Sequence, residues 1–282
     1  MPTGKDLITH MQNLTVLPNS LAIWGIGQMG VAIKGPHAIV YIDACLSDVV
    51  REQFGDWWAR GYPPPLQPTD ITNATYYLTS HEHLDHLDPL TTGPAAKASP
   101  NAKFVVTGWS RDIMADLDIA DERIIVPPAL ETMMLPGTSI RLTAVPAAHY
   151  EKEHDPQKGY RWFGYLIEWN GVTFYHAGDT IIYPGYIEIL KGLPRIDVAM
   201  LPINGRDWIR ETVVGATGNL LPAEAAYLSN EIGWDVLIVG HNDLYPNNAI
   251  PFGQIADALA KTAPRQKYKV LQPGELYYYI RG

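Results

Sequence analysis

The chain has 282 residues, 46% of them hydrophobic, and a formal net charge of −9; it can bury a sizeable core in one large domain or two small ones. That charge, with no run of Lys or Arg, excludes a general polyanion binder, because nucleic-acid proteins carry a basic face. The one cysteine, Cys45, excludes an intramolecular disulfide and points to a reducing cytoplasm; the polar start is no signal peptide and no run reaches the ~18 apolar residues of a membrane span.

Leu7, Ile8, Met11 and Leu14 recur at helical spacing, so residues 5–14 are expected to form a short packing helix. Leu21 to Gly30 then contains G-x-G-x-x-G at Gly25, Gly27 and Gly30. A dinucleotide site needs a helix to open on the third glycine. Here Val31-Ala32-Ile33-Lys34 reads as strand, Gly35-Pro36 as turn and Ala38 to Ile42 as a further strand, which places the glycines in a hairpin of a β-meander and predicts no bound nucleotide. Asp43 ends that strand. Residues 47–70 are an aromatic, proline-stiffened insertion with Trp57-Trp58 and Pro63-Pro64-Pro65. A surface loop is expected there, with a pocket wall or a subunit contact as the alternatives.

Thr75 to Thr79 is strand-like and runs into Ser80-His81-Glu82-His83-Leu84-Asp85-His86. Side chains two apart share a strand face, so His81 and His83 are expected to converge on one ion as the strand ends. Asp85 and His86, on the turn beyond, suit a second. Further on, Phe104 to Val106 reads as strand, Ser110 to Leu117 as helix and Arg123 to Val126 as strand. A β-rich stretch from Thr138 reaches His149, a charged loop at 150–159 holds a solvated His154, and Asn170-Gly171 signals a hairpin. The later third alternates strand and helix: Val198 to Leu201, a helix from Ala223 to Ile232 bracketed by Pro222 and Gly233, Val236 to Val239, a helix after Pro251 and a closing strand Glu275 to Ile280. Three of these strands end on metal-ligand types, at His149, Asp179 and His241.

The H-x-H-x-D-H run resembles the metal-binding signature of the metallo-β-lactamase superfamily, and the resemblance spans nearly the whole chain. It implies a single domain over residues 1–282 folded as a four-layer αββα sandwich, two mixed sheets face to face with helices outside; periodicity alone says only mixed α/β. It also implies His81, His83 and His149 on a first metal, Asp85, His86 and His241 on a second, and Asp179 between them. Asp43 matches an early aspartate that supports a ligand histidine from behind, and His176 is expected to pack or support rather than ligate. One or two divalent ions are expected, Zn²⁺, Mn²⁺ or Fe²⁺ by ligand type. A water between two such cations is deprotonated near neutral pH, since one bound Zn²⁺ lowers its pKa to about 7. The implied reaction is hydrolysis, with Asp85 and Asp179 as its carboxylates. Redox use is disfavoured, because diiron members typically carry an acidic residue where this chain has His83.

Within the superfamily, four stretches look closer to the L-ascorbate-6-phosphate lactonases. They are Gly178-Asp179-Thr180 with Tyr183-Pro184-Gly185, Leu201 to Asp207, Gly218-Asn219 with Glu224-Ala225-Ala226, and His241-Asn242-Asp243 with Asn247. This resemblance favours Mn²⁺ and a small anionic substrate, most simply a phosphorylated sugar lactone. Arg206 is then expected to grip the phosphate bidentately with Asn204 beside it, against a reading in which it pairs with Asp207. Arg161 and Arg210 are lesser candidates. The same metals would serve a phosphodiesterase, the alternative. A nuclease is disfavoured, since only 61 residues separate Asp179 from His241 and such enzymes carry a large insertion. No nucleic-acid or membrane partner is expected, and Trp57-Trp58 is the candidate contact of a homo-oligomer.

Overall fold

The computed structural model describes residues 1–282. Helix α1 (Gly4–Asn13) buries Leu7, Ile8 and Met11 on one face, as their spacing requires. The meander follows as β1 (Ser20–Gly27), β2 (Gly30–Lys34) and β3 (Ile39–Ile42), paired antiparallel. Strand β1 is buried along its whole length. Since alternate side chains face opposite sides, both faces must meet apolar partners: Leu21 and Ile23 enter one core, and Ala22, Trp24 and Ile26 another. Helix α2 (Val49–Phe54) opens the insertion. Then β4 (Tyr76–Leu78), α3 (Pro89–Ala98), β5 (Lys103–Val105), α4 (Arg111–Asp116) and β6 (Ile124–Ile125) extend the sheet in parallel.

The second sheet starts with β7 (Thr132–Met134) and β8 (Arg141–Pro146). A small hairpin of β9 (His154–Asp155) and β10 (Gly159–Tyr160) stands apart before β11 (Phe163–Trp169) and β12 (Val172–His176). Asn170 and Gly171 join the last two with φ of 51° and 79°, the two left-handed residues of a tight hairpin turn. The chain then alternates through α5 (Tyr186–Gly192), β13 (Val198–Pro202), α6 (Pro222–Ile232), β14 (Val236–Gly240), α7 (Gly253–Thr262) and β15 (Lys267–Val270). Gly233 ends α6 in a left-handed cap, φ 74°. Strand β16 (Leu276–Ile280) returns to pair with β1, so the chain's end completes the first sheet.

The strand orders are β16-β1-β2-β3-β4-β5-β6 and β15-β14-β13-β12-β11-β8-β7, two mixed seven-stranded sheets. Between them lies a core of Ile23, Val31, Val40 and Leu78 against Leu142, Tyr165, Phe174, Val198 and Ile238. Outside the first sheet, Leu7, Met11, Ala95 and Met114 from helices cover Trp24, Tyr41, Tyr77 and Phe104. Outside the second, Tyr186, Leu190, Ala225, Leu228, Ile255 and Leu259 cover Tyr175, Leu201 and Leu237. Each fully buried large side chain contributes roughly 1.5–3 kcal/mol relative to exposure. The layers are helix, sheet, sheet, helix. Strands β3 and β4 run parallel, as do β12, β13 and β14, and the histidine-rich turn and two single-residue outposts, Asp179 and His241, follow their carboxyl ends, where open α/β sheets place their sites. No helix is long and apolar enough to cross a membrane.

Candidate metal centre

Strand β4 stops at Leu78, and the residues after Thr79 coil into a tight turn rather than continuing as strand. In it the N–H groups of His86 and Leu87 donate to the His83 carbonyl at 2.9 and 2.7 Å. This corrects the expectation that His81 and His83 share a strand face: the turn, not the pleat, gathers them. His81 lies with its ring centroid 4.6 Å from that of His83 and 4.1 Å from that of His86. Buried Asp88 pins the turn by accepting the N–H groups of Leu90 and Thr91 at the start of α3 and those of Leu46 and Ser47 from the neighbouring loop. Gly178 brings Asp179 in from the second sheet. Its φ is 61°, and a Cβ there would fall 2.4 Å from the Phe163 carbonyl and 2.9 Å from Ser80 Cβ, so only glycine permits this approach.

All seven residues expected at the centre meet there. His86 Nε2 is 3.2 Å from Asp179 Oδ1, while His241 Nε2 is 3.1 Å from Asp179 Oδ2 and 3.2 Å from Asp85 Oδ2. His149 Nε2 is 3.6 Å from Asp179 Oδ2. Three overlapping groups, His81 with His86 and Asp179, His83 with His149 and Asp179, and Asp85 with His86 and His241, each hold donor atoms within 4.8 Å of one another. Two donors about 2.1 Å from one tetrahedral Zn²⁺ would stand ~3.4 Å apart, within the 3.1 to 3.6 Å of these His–Asp separations. Moreover His81 Nε2 and His149 Nδ1 are buried without any partner, and His86 Nε2 and Asp179 Oδ1 have only their 3.2 Å ion pair with each other. An orphaned buried polar atom costs on the order of 1–3 kcal/mol, and all of these but His149 Nδ1 face the cluster. The donor set therefore fits divalent cations.

Groups behind the cluster fix the tautomers. Asp43, fully buried, accepts from Ser80 N–H at 2.7 Å, Ser80 Oγ–H at 2.6 Å and His86 Nδ1–H at 2.8 Å. With its own proton committed to Asp43, Ser80 Oγ accepts from His81 Nδ1–H at 2.9 Å. Both histidines are thus held with Nε2 facing inward: on His81 it is a free lone pair, and on His86 it becomes one when the proton facing Asp179 leaves. His176 does not join the cluster: it donates from Nε2 to the Met29 carbonyl at 2.8 Å and accepts the Gly178 N–H, tethering the segment that carries Asp179. Sequence reasoning missed Ser80 and Gln28. Gln28 Nε2 donates to Asp85 Oδ2 at 2.8 Å; the signal available was its place at the tip of the glycine-rich hairpin.

Electrostatically the cluster has two halves. Burial pushes the imidazoles of His81 and His83 down and brings His149 to about 4, so these three are neutral. Burial acts on His86 and His241 in the same sense, but the carboxylates of Asp179 and Asp85 outweigh it, holding His86 well above its usual range and His241 at about 9. For Asp85 and Asp179 burial favours protonation, and the facing histidines overcome it and keep both ionised.

The centre opens into a cavity of about 310 Å³, with His83, Asp85, His149, Asp179 and His241 on its floor. Val50, Phe54 and Trp58 of the insertion, with Leu84, Val214 and Tyr245, make its apolar wall. The 47–70 segment is thus a pocket wall, not merely a surface loop. No Lys or Arg lines the cavity, and the expected phosphate grip is corrected. Arg206 donates bidentately to Glu224 at 2.7 and 2.6 Å and to the Asn219 carbonyl at 2.8 Å, and its partner is Glu224 rather than Asp207. Arg161 is tied to Glu82 and Glu153, and Arg210 to Asp207 and the Asn204 carbonyl. Asn204 is fully buried and donates to Asn248 Oδ1 at 3.1 Å; it holds a cavity residue instead of facing the cavity.

Residues 39–242 match the model of the beta-lactamase superfamily domain. The chain is 26% identical to a UPF0173 metal-dependent hydrolase of Pyrobaculum aerophilum, over 78% of this chain and 89% of that one. Among solved structures, a metallo hydrolase from Ignicoccus hospitalis superposes with a TM-score of 0.66 at 19% identity, over 93% of this chain and 100% of the other. A metallo-beta-lactamase fold protein from Bacillus subtilis does so with a TM-score of 0.65 at 14% identity, over 92% and 100%. With the αββα layers and the match over residues 39–242 together, the chain belongs to the beta-lactamase superfamily.

Proposed function

We propose that this protein is a metal-dependent hydrolase of a small ester-like substrate, a lactone being the class its sequence favours. The observation that carries the reading is the convergence of seven His and Asp side chains, several with buried unpartnered donor atoms, five of which form the floor of one cavity. His81, His83 and His149 would hold one divalent ion, Asp85, His86 and His241 the second, and Asp179, whose two oxygens face different histidines, would serve both. When bound, such ions supply a nucleophile at neutral pH and a Lewis acid for the carbonyl oxygen under attack. The chain's own residues do the rest. Asp43 and Ser80 present His86 and His81 in one tautomer, Gly178 sets the depth of Asp179, and Val50, Phe54 and Trp58 exclude water from one side of the substrate.

The absence of a cationic wall side chain favours a neutral body over a phosphorylated one, since a phosphate in that cavity would find no guanidinium or ammonium free to pair with it. A volume of about 310 Å³ lies at the small end of ligand sites. The test is turnover by protein loaded with Mn²⁺ or Zn²⁺ on neutral lactones, their phosphorylated counterparts and bis-p-nitrophenyl phosphate. Lactone opening that is lost on chelation and in Asp179→Asn is expected. Turnover of the diester alone would make it a phosphodiesterase, and no turnover of any of them would remove the hydrolase reading.

A further inference from the structure

The glycine-rich hairpin between β1 and β2 has no part in the chemistry so far, yet its tip reaches the centre. Gln28 sits there, 5% exposed, with φ of 58°, a left-handed conformation that side chains other than Gly, Asn and Asp seldom take. Its carbonyl accepts the His241 N–H at 3.0 Å. Its side-chain Nε2 donates to Asp85 Oδ2 at 2.8 Å and lies 3.3 and 3.4 Å from Nε2 and Nδ1 of the His241 ring. Its own N–H donates to Tyr62 Oη at 3.2 Å, and that hydroxyl donates to Asp243 Oδ1 at 2.9 Å. Room for this arrangement comes from the glycines. Gly27 has φ of 107°, with Tyr62 Oη 3.0 Å from where a Cβ would be, and a Cβ on Gly240 would fall 3.1 Å from the Gln28 carbonyl.

Resting on the proposed metal-dependent hydrolase, we infer that Gln28 is the positioning residue of the Asp85, His86 and His241 half of the centre. Asp85 is the looser of the two carboxylates, 19% exposed against 3% for Asp179. An amide N–H constrains it without bringing a proton that titrates near neutral pH. One side chain therefore orients Asp85 while its backbone fixes His241, two of the three donors of that half, and its hydrogen bonds reach neither His81, His83 nor His149.

This asymmetry gives the test, which uses the full chain and Zn²⁺ alone, titrated against a chromophoric chelator. Gln28→Met keeps the length and removes the donor; Gln28→Glu keeps the shape and sets a carboxylate against Asp85, and serves if the Met variant does not fold. Loss of an outer partner of a ligand typically costs 10–100-fold in metal affinity. Wild type is expected to take up two equivalents of Zn²⁺, and either variant to keep one of them at wild-type affinity and bind the other about 10–100-fold more weakly, with the urea midpoint of the metal-free protein near that of wild type. Wild-type affinity for both ions in both variants would overturn the inference and leave the hydrolase reading standing. Equal weakening of both, accompanied by a lower midpoint, would also overturn it, since Gln28 would then be only a structural plug. A wild type that takes up no Zn²⁺ would overturn the metal reading and this inference with it.

Discussion

Replacing Asp43 with alanine tests how the centre is built. The carboxylate is fully buried and accepts three hydrogen bonds of 2.6 to 2.8 Å from Ser80 and His86. At about 1.5–3 kcal/mol for each bond to a charged group the gross loss is large, but deleting a buried carboxylate also recovers its desolvation cost. Removing one partner of a buried pair nets about 3–5 kcal/mol. We expect a loss of that size in urea unfolding of the metal-free protein. Zn²⁺ affinity should fall about 10–100-fold as well, because His86 and, through Ser80, His81 lose their fixed tautomers. Asp43→Asn retains one acceptor oxygen and should lie between the two. A loss under about 1 kcal/mol in Asp43→Ala with unchanged Zn²⁺ affinity would refute the reasoning.

Arg206→Ala should slow a phosphorylated lactone and its neutral counterpart by the same factor while lowering the thermal midpoint, since the guanidinium serves Glu224 and the Asn219 carbonyl; selective loss on the phosphorylated substrate would restore the phosphate role. Trp58→Ala should raise KM for an apolar ester about tenfold, roughly 1.4 kcal/mol, with kcat changed much less; steady-state kinetics decide, and an unchanged KM would remove Trp58 from the wall. Metal uptake should be proton-linked. His241, held at about 9, is protonated in the metal-free protein at pH 7.5, and the Asp179 and Asp85 carboxylates push His86 in the same direction, whereas His149, at about 4, is neutral. Ligation requires neutral imidazole, so Zn²⁺ must displace protons, and its apparent affinity should rise as pH climbs toward 9. Calorimetry in buffers of different ionisation enthalpy counts those protons, and none released at pH 7.5 would contradict this assignment.

The seven-residue cluster was legible in the sequence because its ligand types stand in order, three of them alone beyond apolar strands and four in one dense turn. The layers were legible only through the superfamily resemblance that the histidine run carries; strands such as β1, buried on both faces, leave apolar runs bounded by turn residues, and these show mixed α/β and no more. What was misread concerns detail set by tertiary packing. Strand periodicity carried His81 and His83 too far along β4, since nothing local announces that the chain turns after Thr79. Short strands such as β15, half-exposed at a sheet edge, carry little apolar signal. Arg206 could not be resolved from sequence, because its partner Glu224 lies on a separate helix; Asp207 is only its sequence neighbour. Gln28 stayed hidden because a neutral side chain in a glycine-rich turn has no chemistry of its own until Asp85 and His241 are brought against it.

Anomalous diffraction from crystals grown with Zn²⁺ shows whether these seven side chains form one metal centre. Two anomalous peaks about 3.5–4 Å apart are expected, one among His81, His83 and His149, the other among Asp85, His86 and His241, with Asp179 between them. Peaks elsewhere on the chain, or none within this cluster at saturating Zn²⁺, would contradict this.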